Sequence, residues 1–151
     1  MSPSVLDPAL IEAYRTAEYR VDAGGADGPQ GETDPAFVLT IERPSCELAA
    51  WHRRHAVECS ALVTACNPAG QRLDDWHNRQ ACRALAAWIA RAGLPWRPAT
   101  GLDPARQWPA EPGFLIAGVQ PEPARELGRQ FGQNAIVWAA ADAVPRLILL
   151  R

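Results

Sequence analysis

The chain reads as an α+β fold: a mixed, mostly antiparallel sheet of about five to six strands with about three to four helices packed on it. Three observations lead there. Amphipathic helical stretches alternate with short apolar runs along the whole chain. Two of those runs, Asn134 to Trp138 and Arg146 to Leu150, are separated only by a turn around Asp142, the pattern of a hairpin. The 151 residues, 48% hydrophobic and 21% charged, suit one compact domain spanning 1–151.

The elements follow in order. Asp7-Pro8 places an N-cap before a proline at the first helical position, opening a helix through about Thr16 with Leu10, Ile11 and Tyr14 on its apolar side. Tyr19 to Val21 reads as a short strand. Residues 22–35, rich in Gly, Asp and Pro with little to bury, form a flexible loop before the strand Phe37 to Ile41, and the two strands pair most simply as a hairpin with a long tip. Ser45 caps a helix running to about His55, with Leu48 and Trp51 one turn apart. The buried strand Ser60 to Thr64 ends in Cys66-Asn67-Pro68-Ala69-Gly70, a turn sequence.

The longest helix starts near Asp74 or Asp75 and reaches Ala92, where Gly93 and Pro95 stop it; Trp76, Leu85, Trp88 and Ile89 share its broad apolar face. A strand around Trp96 precedes a proline-rich loop, 100–113, long enough to suggest either function or disorder. Phe114 to Gly118 is the next buried strand. Pro121 to Phe131 is a short helix with Glu122 near its start and Arg129 near its end, matching the helix dipole.

Composition excludes several functions. The 15 basic residues are all arginine and face 17 acidic ones, a net charge of −2, so there is no basic footprint for nucleic acid. Without lysine there is no phosphate-loop lysine, Schiff base or pyridoxal phosphate anchor. The N-terminus lacks the charged flank and apolar run of a signal peptide, and no apolar run is long enough to cross a bilayer. The expectation is a cytosolic protein that does not bind membrane, with Cys46, Cys59, Cys66 and Cys82 as reduced thiols.

Several segments carry a resemblance: Ala13-Tyr14-Arg15, Thr64-Ala65-Cys66-Asn67-Pro68, Gly101-Leu102-Asp103, Trp108-Pro109 and, most specifically, Leu127 to Trp138 with its Phe-Gly-Gln-Asn-Ala-Ile-Val-Trp run. Together they resemble a bacterial family of small single-domain proteins known only as a domain of unknown function. The resemblance implies a single-domain bacterial protein and supplies no activity or cofactor. Cys66 departs from the pattern, which favours a larger, often aromatic residue at that place.

The leading site candidate is polar. Tyr14 and Arg15 come from the first helix, Thr64 and Asn67 follow an inner strand, and Gln133 and Asn134 begin another; strand-end crevices of this kind hold small ligands. The bland alternative gives Asn67 an Asx-turn, Arg15 a surface carboxylate and the two amides buried backbone groups to satisfy. A metal site built from Cys46, His52, His55, Cys59, Cys66, His77 and Cys82 has suitable ligand types but no CxxC pair and no standard zinc spacing, so neither metal nor other cofactor is expected.

A small hydrolytic enzyme is the alternative function. It would use Asp103, Arg106 and Glu111, or Cys66 or Cys59 with His55 or His77. The function expected first is a binding or regulatory module for a small polar ligand or a protein partner. The tryptophans are expected in the core by default, except Trp108, whose loop position suits a pocket lid, an interface anchor or, equally, packing over the sheet.

Overall fold

A computed structural model describes residues 6–23, 35–67 and 74–150. The first helix, α1 (Pro8–Thr16), starts where the Asp7 carboxylate accepts the Ala9 N–H at 2.9 Å. Next come β1 (Glu18–Val21), β2 (Phe37–Thr40) and α2 (Cys46–Arg54), whose cap is the Ser45 hydroxyl accepting Leu48 N–H at 3.0 Å. The strand β3 (Ser60–Thr64) leads to α3 (Asp75–Ala92), capped by Asp74 and closed by Gly93 at φ 68°. Then follow β4 (Trp96–Leu102), β5 (Glu111–Ala117), α4 (Pro121–Gln130), β6 (Ala135–Ala139) and β7 (Arg146–Leu149). This is the element order read from the sequence, with ends displaced by a residue or so where helices and strands fray.

Two expectations about the sheet are corrected. Among the described residues it has seven strands, not five or six, in the order β2-β1-β4-β5-β3-β6-β7. Every pairing in it is antiparallel, so the sheet is not mixed. The expected hairpin of β1 and β2 forms, and β1 pairs on both sides, Tyr19 with Leu39 of β2 and with Gly101 of β4.

The proline-rich loop is also shorter than 100–113. β4 continues to Leu102 and β5 begins at Glu111, with Thr100 opposite Pro112 and Gly101 opposite Glu111, so the connection is 103–110. Pro98 and Pro112 lack an N–H for the ladder, yet both serve as acceptors: the Pro98 carbonyl takes the Asp22 N–H at 2.9 Å, and the Pro112 carbonyl takes the Cys66 thiol at 3.5 Å. Of the segment expected to be a flexible loop, residues 24–34 lie outside the described residues.

Alternation along the central strands puts a core on each face. Leu62, Leu115, Ala117 and Val137 join Tyr19, Leu39, Leu48 and Trp51 on the face covered by α2. Ala61, Val63, Ile116 and Ile136 join Leu85 and Ile89 of α3 and Ala124 and Leu127 of α4 on the other. Gly128 lets α4 approach the sheet closely: a Cβ there would fall 2.5 Å from Leu150 Cδ1 and 2.7 Å from Ile136 Cγ2. Trp76 is a correction to the core list. It stands 58% exposed on the first turn of α3, edge-on to His77.

The helix-to-strand junction after α4 follows from its glycine. Gly132 takes φ 67°, its N–H bonds to the Arg129 carbonyl and the Gln133 N–H reaches the Gly128 carbonyl at 2.9 Å. That pair of bonds satisfies the last turn's carbonyls and turns the chain sharply into β6.

Candidate functional site

A cleft of about 250 Å³ lies between α1 and the 103–110 connection. Its floor is a row across three strands: Glu111 of β5 faces Gly101 of β4, which faces Tyr19 of β1. Gly101 has no side chain, and the Tyr19 ring packs over it: a Cβ there would lie 3.6 Å from Tyr19 Cε1 and 3.7 Å from Cδ1. Leu10, Ala13, Tyr14 and Ala17 form one wall, and Gln107, Trp108 and Pro109 form the other, with Asn67 at one end. Trp108 is 47% exposed at this opening.

Burial pushes the Glu111 carboxyl above its ordinary range, and the hydrogen bond from Asn67 Nδ2, at 3.2 Å, partly opposes the rise. Burial likewise raises the Tyr19 phenol, with smaller contributions from Tyr14 and Glu111, and its hydroxyl donates to the Tyr14 carbonyl at 2.9 Å. The cleft therefore offers a partly desolvated carboxyl set among aromatic and aliphatic walls. Such a group is satisfied best by a donor or cation brought in with a ligand.

Five of the six residues proposed from sequence gather around this floor. Tyr14 lines the cleft, and its hydroxyl accepts from Asn134 Nδ2 at 3.2 Å. Asn67 lines it too, held by a reciprocal pair of bonds in which its N–H donates to Asn78 Oδ1 and its Oδ1 accepts from Asn78 Nδ2, each at 3.0 Å. Thr64 donates to Gln133 Oε1 at 2.9 Å, and Gln133 Nε2 donates to the carbonyls of Cys66 and Phe131. Thr64 and Gln133 border a smaller hollow that shares Tyr14, Tyr19 and Glu111 with the main cleft. Gln133 and Asn134, 7% and 3% exposed, act mainly as buried struts behind the wall. Arg15 is exposed and lines none of these hollows.

The residues considered for catalysis are placed differently from one another. Both Asp103 carboxylate oxygens are occupied by backbone N–H groups: Ala105 on one, Gln107 and Trp108 on the other. Asp103 thus shapes the connection that carries Trp108. Arg106 is exposed at φ 57°, outside the cleft lining.

Among the described residues no hydrogen bond joins a cysteine to a histidine, and no three His, Cys, Asp or Glu side chains group to hold a metal ion. His52 Nε2 lies 2.8 Å from Ser60 Oγ, His77 Nδ1 lies 2.7 Å from Asp74, and the Cys59 thiol donates to the Val119 carbonyl. His55 stacks edge-on to Trp51, and Cys46 is exposed.

Two features escaped sequence reasoning. The sequence suggests Glu111 only as a partner of Asp103 and Arg106, whereas the strand register makes it part of the floor of the cleft. Arg97 is 1% exposed, donates to the carbonyls of Asp22 and Pro35, and lies 5.1 Å from the centre of the Phe37 ring. Its one sequence signal is parity, since it shares a strand face with Ala99 and Gly101.

Residues 63–136 match a family described as a protein of unknown function, DUF3293. The match takes in the last two residues of β3, all of α3, β4, β5 and α4 and the first two residues of β6, including Asn67, Glu111 and Gln133 but not α1. Neither the curated proteins nor the solved structures gave a match. No described helix is long and apolar enough to cross a membrane.

Proposed function

We propose that this is a cytosolic bacterial binding module that folds as one domain and takes a small polar organic ligand in the cleft over Glu111. The observation that carries the reading is the Glu111 carboxyl, drawn out of water between Tyr19 and the Trp108 wall and braced by Asn67. An amine, or a hydroxyl donor on a compact apolar body, matches that arrangement: the carboxyl takes the donor, and Leu10, Leu102 and Trp108 take the body. Four free thiols accord with a reducing compartment, and the resemblance around 127–138 supports a bacterial origin. The hydrolytic alternative draws less support, because the Asp103 carboxylate is committed to three backbone N–H groups.

The test is ligand-observed NMR against fragments graded from primary amines through neutral polyols to carboxylates. Amines and polyols should bind in preference to carboxylates, and both Glu111→Gln and Trp108→Ala should weaken them at least about tenfold, some 1.4 kcal/mol. Preference for carboxylates, or binding indifferent to both substitutions, would remove the cleft from consideration.

A further inference from the structure

We propose that Cys66 and Cys82 form a thiol pair that undergoes thiol–disulfide exchange with a small anionic disulfide. The proposal stands on the placement of the two sulfurs. Cys66 Sγ and Cys82 Sγ lie 3.7 Å apart, although Cys66 follows β3 and Cys82 sits in mid-α3. Both sulfurs face one acceptor, the Pro112 carbonyl, at 3.5 and 4.0 Å. The segments carrying them are clamped together, because Asn78, one helical turn before Cys82, exchanges two hydrogen bonds with Asn67, the neighbour of Cys66. Closing the sulfurs to a ~2.0 Å bond therefore needs a movement of rotamer scale.

The two thiols differ in a way that sets their order of reaction. Cys82 is half-buried and opens into a cleft lined by Arg79 and Arg83, with Asp75 also present; Cys66 lies behind it, 2% exposed. The hydrogen bond shared by the two sulfurs lowers the Cys82 thiol, and the same bond together with burial raises that of Cys66. The more accessible Cys82 is thus the attacking thiolate and the buried Cys66 the resolving thiol.

In the first step the Cys82 thiolate bonds to one sulfur of the small disulfide and its other half leaves as a thiolate. Cys66 then attacks Cys82 Sγ and loses its proton to the second departing thiolate. Two protein thiols are oxidised to one disulfide, and one small disulfide is reduced to two thiols. The paired arginines favour a carboxylate-bearing reagent such as oxidised glutathione.

The experiment uses the full chain, fully reduced, exposed to oxidised glutathione, acid-quenched and read by intact mass and peptide mapping. The wild type should lose two hydrogens and yield a linked Cys66–Cys82 peptide. Cys66→Ser should stop at a glutathione adduct on Cys82, and Cys82→Ser should leave Cys66 unmodified. Arg79→Gln with Arg83→Gln should slow the reaction about fivefold or more with oxidised glutathione but less than about twofold with neutral hydroxyethyl disulfide. The proposal is overturned if the folded wild type yields no Cys66–Cys82 peptide under excess oxidant, or if modification is confined to exposed Cys46. The wild-type result stands whether or not the variants fold.

Discussion

Asn134 Nδ2 donates to the Tyr14 hydroxyl at 3.2 Å, joining the start of β6 to α1 across 120 residues of chain. α1 has no fully buried residue, so few contacts hold it over the cleft, and this bond fixes the wall that Tyr14 provides. Asn134→Ala should cost only about 1 kcal/mol of stability in urea unfolding while weakening fragment binding in the cleft. A loss of binding with an unchanged unfolding midpoint is also consistent; unchanged binding would mean that α1 is held by other means.

Gln133 plays a heavier structural part. Its carboxamide accepts from Thr64 and donates to two carbonyls, and it is almost wholly buried. Gln133→Ala leaves those carbonyls and a hydroxyl without their partner and should cost about 2–3 kcal/mol, well beyond the Asn134 effect, measured as the difference in urea midpoints.

Arg97 ties Asp22 and Pro35, the two described ends of the β1–β2 connection, to β4. Arg97→Met keeps much of the volume but removes the donors from buried carbonyls, so we expect a loss of about 2–4 kcal/mol. Proteolysis should show the consequence locally, with faster cleavage in the 22–35 connection than elsewhere.

Gly128→Ala should destabilise the protein by about 1–3 kcal/mol, since the new methyl would press on Leu150 and Ile136. Thermal unfolding reads this directly. Trimming Leu150 to Ala in the same chain should recover part of the loss if the clash is the cause.

Two buried groups give opposite pH dependences. His52 is 3% exposed and burial lowers its proton affinity, so the unfolded chain binds the proton more readily; stability from this group is complete above about pH 6.5 and falls as acid carries the pH down through the folded value. Glu111 is raised, so the folded chain holds its proton more tightly; its contribution is fully present below the ordinary carboxylate range and is lost as the pH rises through the folded value. In urea titrations across pH 4–8, His52→Asn should flatten the acid-side fall, and Glu111→Gln should flatten the opposing trend and raise stability at pH 7 relative to pH 4. Unaltered slopes in both variants would place the titrating groups elsewhere.

By itself the sequence determined the elements. The Asp7-Pro8, Ser45 and Asp74 caps, the Gly93 and Gly132 stops and the alternating apolar runs are local signals, each acting through backbone groups a few residues away, and they yielded all eleven elements in order. It also pointed to Tyr14, Arg15, Thr64, Asn67, Gln133 and Asn134, because polar residues at strand ends and helix junctions must find partners somewhere, although Arg15 stays exposed away from the cleft. Tertiary structure decided what those partners are. Only strand register sets Glu111 across from Gly101 and Tyr19, draws seven strands into one sheet and shortens the 100–113 loop. Only the packing of α3 on the sheet brings Cys82 to Cys66 and turns two unremarkable cysteines into a pair. Register and packing are settled by non-local burial, which leaves no fixed spacing in the chain to be read.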